Sequence, residues 1–439
     1  MNGQDGSEPV ESCDVLVIGG GPAGSTVSAL LARRGWSVVM LEKAQHPRFH
    51  IGESLLPMNL PIFERLGVLD KVRALGVHKP GADFESDAGQ AYSCFDFSRA
   101  LGQSPAHAFQ VCRAEFDQML FEHARQTGVD ARQGHKVVAV EHKGPRAAEA
   151  LVEVDGQEPP LRIRARYVID ASGRDALLSQ RRKLMRRNRQ HQSAAIFGRF
   201  NNARFREGDD RGNISIYWFE HGWMWLIPQP GGEMSVGAVC RPAYLRRRRG
   251  NNRDFLLQTL QANAAAWARL EQAELIDDKV HVAGNYTYDS SCMGGPGWML
   301  IGDAFAFLDP VFSSGVYLAM TGAERAASVV DEALRHPERE AVLQKRLETR
   351  MRRGMRHFAW FIYRFNSPAM RRLFNDPRNV LDIERGVISM LAGDVFDNRR
   401  VLRKLRLFQL LYAIVWLAHP LASWRERRER HLQARSVPD

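Results

Sequence analysis

The stretch CDVLVIGGGPAGSTVSALLARRGWSVVMLEK, residues 13–43, decides the fold of this chain. Residues 15–18 are a short apolar run that predicts a buried strand, and residues 37–41 predict a second strand. Between them lie a glycine-rich turn and an apolar segment, residues 23–34, that is typical of a helix. A strand, a glycine turn, a helix and a second strand in this order predict the βαβ unit of an α/β fold with a parallel sheet.

The glycines of this turn, Gly19, Gly21 and Gly24, fit the pattern G-x-G-x-x-G of dinucleotide-binding folds. Gly19 makes the tight turn, Gly21 lets the backbone approach a pyrophosphate, and Gly24 lets the helix pack closely on the strand. The helix begins near Ala23, and its first N–H groups would face the phosphates. Glu42, at the end of the second strand, would accept hydrogen bonds from ribose hydroxyls and disfavour a 2′-phosphate. We therefore predict a Rossmann-type nucleotide site.

Three later segments indicate which nucleotide binds. VCRAEFDQML (111–120) places Arg113 before an amphipathic helix, and YVIDASGRDALLS (167–179) is a strand that runs into Asp-Ala-Ser-Gly. GWMLIGDAFAFLDPVFSSGVYLAM (297–320) is a buried strand followed by Gly-Asp, a loop and a glycine-led helix. This order resembles the flavoprotein monooxygenase superfamily with the p-hydroxybenzoate hydroxylase fold. The resemblance implies FAD as cofactor, with Asp303 on the ribityl hydroxyls and Arg113 on the FAD phosphates or ribityl chain.

A tryptophan-rich strand narrows the resemblance. In GWMWLIPQP (222–230), the alternation of side chains along a strand puts Trp223 and Trp225 on one face. The motif WMWLIP fits the WxWxIP pattern of flavin-dependent halogenases. Geranylgeranyl reductases carry an aromatic-x-Trp-x-aromatic-Pro strand at a similar place, so this motif by itself leaves both families open.

Two segments near the N-terminus favour the halogenases. PRFHIGESLLPMNLPIFERLGV (47–68) resembles the segment that follows the nucleotide motif in those enzymes, and it contains Glu53 and Ser54. VHKPGADF (77–84) resembles their K-x-G-A-x-F segment, whose lysine is catalytic and corresponds to Lys79. Together with the tryptophans, these residues make the resemblance closest to the phenol and pyrrole halogenases.

The loop before the glycine-led helix is also similar to the halogenases. DPVFSSGVYLA (309–319) fits their D-P-x-x-S-x-G-V loop, which lies beside the flavin. The start of a helix offers N–H groups and a positive dipole end, which suit a halide or the flavin's own negative charge. The residues predicted to form this halide and flavin loop are Pro310, Ser313, Ser314, Gly315 and Val316.

The resemblance implies a reaction. In this family reduced FAD and O2 oxidise a halide, chloride or bromide, to hypohalous acid. Lys79 would hydrogen-bond this acid or form a haloamine, and would hold the electrophile near an electron-rich aromatic such as a phenol or pyrrole. Trp223 and Trp225, with Glu53 and Ser54, would form a wall between flavin and substrate. The resemblance also implies that FADH2 comes from a separate flavin reductase. No second glycine motif for NAD(P)H is found, which fits this expectation, but hydroxylases of the same fold also lack such a motif.

Other functions stay open at this point. A flavin-dependent aromatic hydroxylase or epoxidase of the same fold is the leading alternative, and it would oxidise NAD(P)H without a partner reductase. A geranylgeranyl-reductase-like enzyme is a further alternative. A non-catalytic flavin-binding scaffold recruited to a membrane would bind anionic vesicles without turnover.

We expect two regions in the chain of 439 residues. Residues 1–340 would form the FAD-binding domain, interleaved with a mixed β-sheet substrate subdomain from about 84–110 and 185–290. Residues 341–439 would form a basic, helical C-terminal region. Five scattered cysteines without CxxC spacing predict neither a metal site nor disulfide bonds. The polar N-terminus predicts no signal peptide, so a cytoplasmic location is expected.

Positive charge is concentrated near the C-terminus. Residues 345–439 carry 21 Lys and Arg against 9 Asp and Glu, whereas the whole chain has a net charge of +11. No nucleic-acid-binding motif accompanies this charge. We expect an acidic acyl carrier protein that bears the substrate, or peripheral contact with an anionic membrane. The apolar segment at 405–424 predicts a core helix, with an interfacial helix flanked by RERRER (425–430) as the alternative.

Overall fold

The chain is described from a computed structural model that covers residues 10–418 except 86–91, 189–190, 285–286, 376 and 378. The basic run at 425–430 therefore lies outside the described residues. The strands are β1 (Glu11–Ile18), β2 (Val38–Glu42), β3 (Gly76–Lys79), β4 (Gly81–Glu85), β5 (Ser93–Asp96), β6 (Ala108–Val111), β7 (Asp130–Gln133), β8 (His135–Gly144), β9 (Ala147–Val154), β10 (Gln157–Asp170), β11 (Met185–Arg187), β12 (Ala194–Asn201), β13 (Ile214–Phe219), β14 (Gly222–Pro228), β15 (Met234–Cys240), β16 (Glu274–Leu275), β17 (His281–Ala283), β18 (Tyr288–Ser290), β19 (Gly294–Gly295), β20 (Trp298–Leu300) and β21 (Ala306–Phe307). The α-helices are α1 (Pro22–Ala32), α2 (Leu60–Leu66), α3 (Leu69–Leu75), α4 (Arg113–Gln126), α5 (Leu177–Arg181), α6 (Pro242–Leu245), α7 (Asn252–Gln261), α8 (Ala264–Trp267), α9 (Ser314–Arg335), α10 (Glu340–Ile362), α11 (Pro368–Asn375), α12 (Ile383–Leu391) and α13 (Arg399–Leu417).

The first sheet contains the predicted nucleotide-binding unit. Its strands run in the order β19-β20-β10-β1-β2-β7, and β8 and β9 extend it beside β10. β1 is parallel to both of its neighbours, and its residues 15–18 are buried. Strands covered on both faces read as continuous apolar runs, which is why this run forms the centre of a parallel sheet. The predicted βαβ unit and α/β fold are confirmed.

A second, mostly antiparallel sheet runs in the order β16-β12-β15-β14-β13-β4-β5, with β17 beside β12. In β14, Trp223 and Trp225 belong to the core that this sheet shares with the first one. Met224 and Leu226, the alternate residues, pack with α7 in a separate core on the other face. Both faces of the strand are therefore covered, and alternation directs the two indoles towards the first sheet.

The last part of the described chain is helical, as the sequence predicts. α10 ends at Ile362 and α11 begins at Pro368, so the aromatic segment between them is broken before the proline. α13 packs against α11 and α12 through one face, on which Leu405 and Phe408 are buried. No helix in the described part of the chain combines the length and the hydropathy that crossing a membrane requires.

Candidate active site

Residues from both sheets enclose a large cavity. Its volume is about 540 Å3, and its wall joins the turn after β1, the turn after β20, the N-terminus of α9 and the inner face of β14. In parallel α/β sheets, ligands bind where the carboxyl ends of the strands meet, and β1, β2 and β20 all end here. The predicted cofactor residues that line it are Gly19, Gly21, Ala23, Glu42, Arg113 and Asp303.

The glycine turn has the shape that a phosphate group requires. Gly19 has a φ of +102°, and a Cβ on it would lie 2.4 Å from the Ala171 carbonyl oxygen. A Cβ on Gly24 would lie 1.8 Å from the Gly19 carbonyl oxygen, so only glycine allows α1 to pack this closely. At Gly21 the nearest atom to such a Cβ is Arg48 Nη2, at 3.5 Å, so this backbone is open to the cavity. The turn therefore fits the pyrophosphate of FAD.

Glu42 and Arg48 form the charged part of this wall. The Glu42 carboxylate is buried and accepts the Gly20 N–H at 2.9 Å. Arg48 Nη2 lies 3.5 Å from a Glu42 oxygen and 3.7 Å from an Asp117 oxygen. Glu42 is thus anchored beside the glycine turn, and Arg48 supplies a cation next to it. Arg48 was not predicted from the sequence, although it lies within the halogenase-like segment 47–68.

Arg113 is the first residue of α4, and its guanidinium is engaged within the protein. Its Nε and Nη2 donate to the two carboxylate oxygens of Asp117 at 2.8 and 3.0 Å, and its Nη1 donates to the Ile51 carbonyl at 2.6 Å. Burial by itself acts to raise the pKa of Asp117, but the ion pair outweighs it and holds the pKa below its usual range. Arg113 also lines the cavity, so its contact with FAD stays a prediction.

Asp303 lies in the short helical turn after β20 and faces the same cavity. Burial raises the pKa of Asp303 to about 6, although Arg113 and Arg174 act against this shift. The main-chain carbonyl of Asp303 accepts the Tyr288 hydroxyl at 2.8 Å, which fixes the turn. Within the described residues, no donor bonds to the Asp303 carboxylate, so its oxygens are available to the ribityl hydroxyls of FAD.

The N-terminus of α9 reaches the cavity from the side of the predicted halide and flavin loop. Pro310, Ser313, Gly315 and Val316 line the cavity, and Ser313 has a φ of +55°. Ser314 is buried and lines a smaller neighbouring cavity instead. Because α9 is 22 residues long, its N-terminus places a full positive dipole end here. This arrangement suits a halide or a negatively charged flavin ring.

Trp223 and Trp225 form an aromatic wall on the inner face of β14. Both line the cavity, with their ring centroids 5.8 Å apart and their planes inclined at 48°. Trp225 Nε1 donates to the Ser235 hydroxyl at 3.2 Å, and the Phe197 ring packs against the same indole at 5.8 Å. Ser235 and Phe197 hold the Trp225 indole in place, and Trp223 packs against it, so the two rings present an apolar surface to the cavity.

Lys79 ends β3 and lies behind the cavity wall. Its side chain is 1% exposed, and its Nζ donates to the Ser54 hydroxyl and the Leu55 carbonyl, both at 2.9 Å. The centroid of the Phe97 ring lies 5.3 Å from Nζ. Burial lowers the pKa of Lys79 to about 7, and no charged group contributes to this shift. Lys79 is therefore a lysine that holds a large neutral fraction near pH 7.

Ser54 connects Lys79 with the cavity. Ser54 lines the cavity, whereas Lys79 does not, and the two side chains meet at 2.9 Å. The main chain of Ser54 forms a β-bridge with Gln110 in β6, and β6 pairs with β3, which carries Lys79. The same backbone pairing thus fixes both residues of the contact. This connection has no signature in the sequence because it joins segments that are distant along the chain.

Glu53 precedes Ser54 and also lines the cavity. Its carboxylate is buried, with Arg199 Nη2 at 3.3 Å from Oε1. Burial raises the pKa of Glu53, and Ser235 and Arg199 act against the shift. Arg199 also lies 3.1 Å from Glu233. Arg199 was not predicted, since nothing in the sequence marks a lone arginine on a strand as a partner of Glu53.

Comparisons with known proteins agree with this geometry. Residues 12–360 match the FAD binding domain family. A flavin-dependent halogenase of Armillaria mellea is 35% identical over 74% of this chain and 68% of its own length. The 1H-pyrrole-2-carbonyl-[peptidyl-carrier protein] chlorinase of Pseudomonas fluorescens is 30% identical over 90% of this chain and 92% of its own. The structure of the myxobacterial chondrochloren halogenase CndH has a TM-score of 0.76 and 29% identity, and the match covers 94% of this chain and 97% of CndH.

These findings decide between the families that the sequence left open. The FAD family spans most of the chain, and the two relatives named above are halogenases. The predicted FAD cofactor and the predicted resemblance are confirmed. The glycine cradle, the Glu42 anchor and the available Asp303 carboxylate fit that cofactor. The chain belongs to the flavin-dependent halogenases of the FAD-binding monooxygenase superfamily.

Proposed function

We propose that this enzyme halogenates an electron-rich aromatic compound, a phenol or a pyrrole, and that Lys79 carries the halogen to the ring. The observation that supports this most directly is the buried Lys79 amine, which has a pKa near 7 and lies 2.9 Å from a hydroxyl on the cavity wall. The indole wall and the halogenase relatives also support it.

The FAD site would set up the oxidation of the halide. When bound and reduced, FAD reacts with O2 and supplies the oxidising equivalent that turns halide into hypohalous acid. Gly19 and Gly21 would receive the pyrophosphate, Arg48 would balance its charge, and Asp303 would accept from the ribityl hydroxyls. The N-terminus of α9, at Gly315, would hold the halide through its N–H groups.

The two tryptophans would keep the aromatic substrate away from the flavin. Trp223 and Trp225 occupy the face of β14 towards the cavity, and the Trp225 indole is held by Ser235 and Phe197. An aromatic ring that is kept out of the cavity cannot be hydroxylated by the flavin bound there. Hypohalous acid has only two heavy atoms, so it can leave along a path that excludes the ring. The wall would therefore favour halogenation over hydroxylation.

Lys79 would receive the halogen as a neutral amine. Burial without a carboxylate partner disfavours its charged form, so a nitrogen lone pair is available at neutral pH. The amine attacks the halogen atom of hypohalous acid, the N–X bond forms, the O–X bond breaks, and hydroxide leaves with one amine proton as water. The aromatic ring then attacks the halogen, so that the C–X bond forms as the N–X bond breaks, and the proton that the ring loses restores the Lys79 nitrogen to the neutral amine. Ser54 would position the amine towards the cavity from which the acid arrives.

The substrate and partners are proposed from the relatives and from the charge of the chain. The pyrrole chlorinase, which this chain matches over 92% of its length, acts on a pyrrole carried by a peptidyl carrier protein. We propose a phenol or pyrrole that is free or attached to an acidic carrier protein. A separate flavin reductase would supply the reduced FAD.

Product analysis tests the proposal. The FAD-loaded enzyme receives enzymatically reduced FAD, O2, bromide and a panel of phenols and pyrroles, free and carrier-bound, and products are analysed by mass spectrometry. A bromine isotope doublet that disappears in Lys79→Met is expected. Lys71→Met, which removes an exposed lysine on α3 away from the cavity, is the matched control and should keep the product. A mass gain of one oxygen instead would make the enzyme a hydroxylase.

A further inference from the structure

The exposed apolar side chains of this protein are concentrated near its C-terminus. Ten large apolar residues are exposed in the described part of the chain, and six of them lie between residues 380 and 417. A folded enzyme rarely leaves such a group uncovered unless something binds there. These six residues, which we call the C-terminal patch, are Val380, Leu381, Leu407, Leu410, Ile414 and Leu417.

Four residues of the C-terminal patch form one stripe along α13. Leu407, Leu410, Ile414 and Leu417 follow the spacing of one helix face, and the last three are 57–68% exposed. The opposite face carries Phe408, which is buried in the protein core. The stripe spans about 15 Å, given a rise of about 1.5 Å per residue. α13 is therefore a core helix on one face, as predicted, and an uncovered apolar helix on the other.

The rest of the C-terminal patch lies beside the same helix. Val380 and Leu381 are 59% and 68% exposed, and the Leu381 carbonyl accepts a hydrogen bond from Lys404 Nζ at 2.7 Å. This bond ties the segment before α12 to α13. The apolar surface is therefore built from two segments rather than from one side chain.

The N-terminal half of α13 is strongly basic. The helix contains no acidic residue, and its cations precede the apolar stripe. Arg403 and Arg406 are exposed. The sequence that follows the helix, residues 419–439, contains Trp424 and five further arginines. The five cations of α13 are Arg399, Arg400, Arg403, Lys404 and Arg406.

We propose that the C-terminal patch docks on an anionic lipid bilayer. A partner must be apolar over the length of the stripe and negatively charged beside it, and the surface of an anionic bilayer has both properties. The helix is amphipathic, has its cations where lipid headgroups would lie, and has its apolar side chains on the exposed face. A small acidic protein would satisfy the charge but would need a matching apolar surface of its own. The proposal does not depend on the reaction. It adds that the enzyme would work at the surface of an anionic membrane.

Vesicle binding of the full-length, FAD-loaded enzyme tests this surface. We expect flotation with vesicles of 70% phosphatidylcholine and 30% phosphatidylglycerol, weaker binding at 0.5 M salt, and none with phosphatidylcholine alone. Arg403→Gln with Arg406→Gln should weaken binding about 30-fold, since each cation near such a surface contributes about a fivefold factor. Leu410→Gln with Ile414→Gln should weaken it about tenfold or more.

Matched control variants show whether vesicle binding depends on the C-terminal patch or only on the total charge and exposed apolar area of the protein. Val342→Gln removes an apolar side chain on α10 that is 53% exposed. Arg246→Gln with Arg249→Gln removes two exposed cations that are distant from α13 in the sequence. Both should bind vesicles as the wild type does. All variants should retain FAD and brominate a free phenol, so a failure of the docking proposal is distinguishable from a failure of the proposed function.

Four outcomes would overturn the proposal. Absence of binding to anionic vesicles would exclude a lipid partner. Binding that the Leu410 and Ile414 variants leave unchanged would assign it to another surface. Binding of a purified acidic carrier protein instead of vesicles, lost in the same variants, would assign the C-terminal patch to that carrier, and a dimer lost in these variants would assign it to a second copy of the chain.

Discussion

Halogenation should depend on pH in a way that the burial of Lys79 determines. If the neutral amine receives the halogen, the rate should rise about tenfold between pH 6 and pH 8 and then level off. The rise follows from the loss of one proton from Nζ, which exposes the lone pair. The plateau follows because the pKa of Lys79 is low enough for the conversion to be complete within this range.

The magnitude follows from the structure. Burial lowers the pKa of Lys79 from 10.5 to about 7. The neutral fraction is then roughly 10% at pH 6, half at pH 7 and about 90% at pH 8. An exposed lysine with its ordinary pKa would instead gain about tenfold per pH unit, about 100-fold over the same range, without a plateau. The shape of the curve therefore reports on the environment of Lys79 and not only on its presence.

The assay must isolate the lysine step from the formation of hypohalous acid. Single-turnover reactions contain pre-reduced FAD, O2, excess bromide and one phenol, and a scavenger measures the hypobromous acid that escapes. The ratio of brominated ring to escaped acid is followed from pH 6 to pH 9. In Lys79→Met the escaped acid should persist and ring bromination should be lost, because FAD and halide sites are intact.

Two results would refute the reasoning. A ratio that falls from pH 6 to pH 8 would assign the active form to the ammonium, which would donate a hydrogen bond to hypohalous acid instead of forming a haloamine. A ratio that continues to rise above pH 8 would mean that the pKa of Lys79 is not lowered in the working enzyme. In that case Lys79 would be exposed to water during turnover, and the conformation in which it is buried would not be the one that carries out halogenation.

Four further changes test other parts of the site. Ser54→Ala should lower ring bromination about tenfold with FAD binding unchanged, because the amine loses one of its two acceptors, and Ser54→Thr should restore much of it. Trp223→Ala should admit the substrate to the cavity, which is detected as an oxygenated product beside the brominated one. Gly24→Ala should weaken FAD retention and lower the free energy of unfolding by about 1–3 kcal/mol, because the new Cβ would lie 1.8 Å from the Gly19 carbonyl oxygen. Between pH 7 and pH 9 the free energy of unfolding of the wild type should rise, relative to that of Lys79→Met, by about 2 kcal/mol in total in denaturant unfolding, because the unfolded state binds the proton that the folded state has lost.

Local patterns made the nucleotide unit and the tryptophan face predictable. Side chains alternate between the two faces of a strand, so Trp223 and Trp225 share one face and Met224 lies on the other, as the structure shows. The glycine pattern needs no tertiary contact beyond its own strand and helix, apart from the approach of Ala171 to Gly19. Such features are encoded within about 30 residues, so one sequence is enough to recognise them.

Pairing between distant segments could not be read from the sequence. The contact of Lys79 with Ser54 depends on the β3–β6 ladder and on the β-bridge at Gln110. Arg48 and Arg199 acquire their roles only from the carboxylates that the fold brings near them. For α13, apolar residues on every side are compatible with a core helix or an interfacial one, and only the packing shows which face is covered.

The positions of Trp223, Trp225 and Lys79 fit the proposed mechanism, which uses both the wall and the lysine. In the proposed mechanism, a wall that keeps an aromatic ring from the cavity would also keep the ring from the place where hypohalous acid forms, so a carrier would have to take the halogen across. Lys79 lies outside the cavity but touches Ser54, which lies on it, and this is the position that a carrier requires. Burial lowers the pKa of the amine without any partner charge, so the residue that is placed to accept the halogen is also neutral enough to do so. An exposed lysine at the same distance would be almost entirely protonated at pH 7 and would attack only through a small neutral fraction, whereas a buried carboxylate beside it would restore its charge. If the neutral amine carries the halogen, the lack of a charged contribution to the Lys79 pKa from the described residues is part of the mechanism, and placing an acid next to the amine should be as damaging to ring bromination as removing the amine.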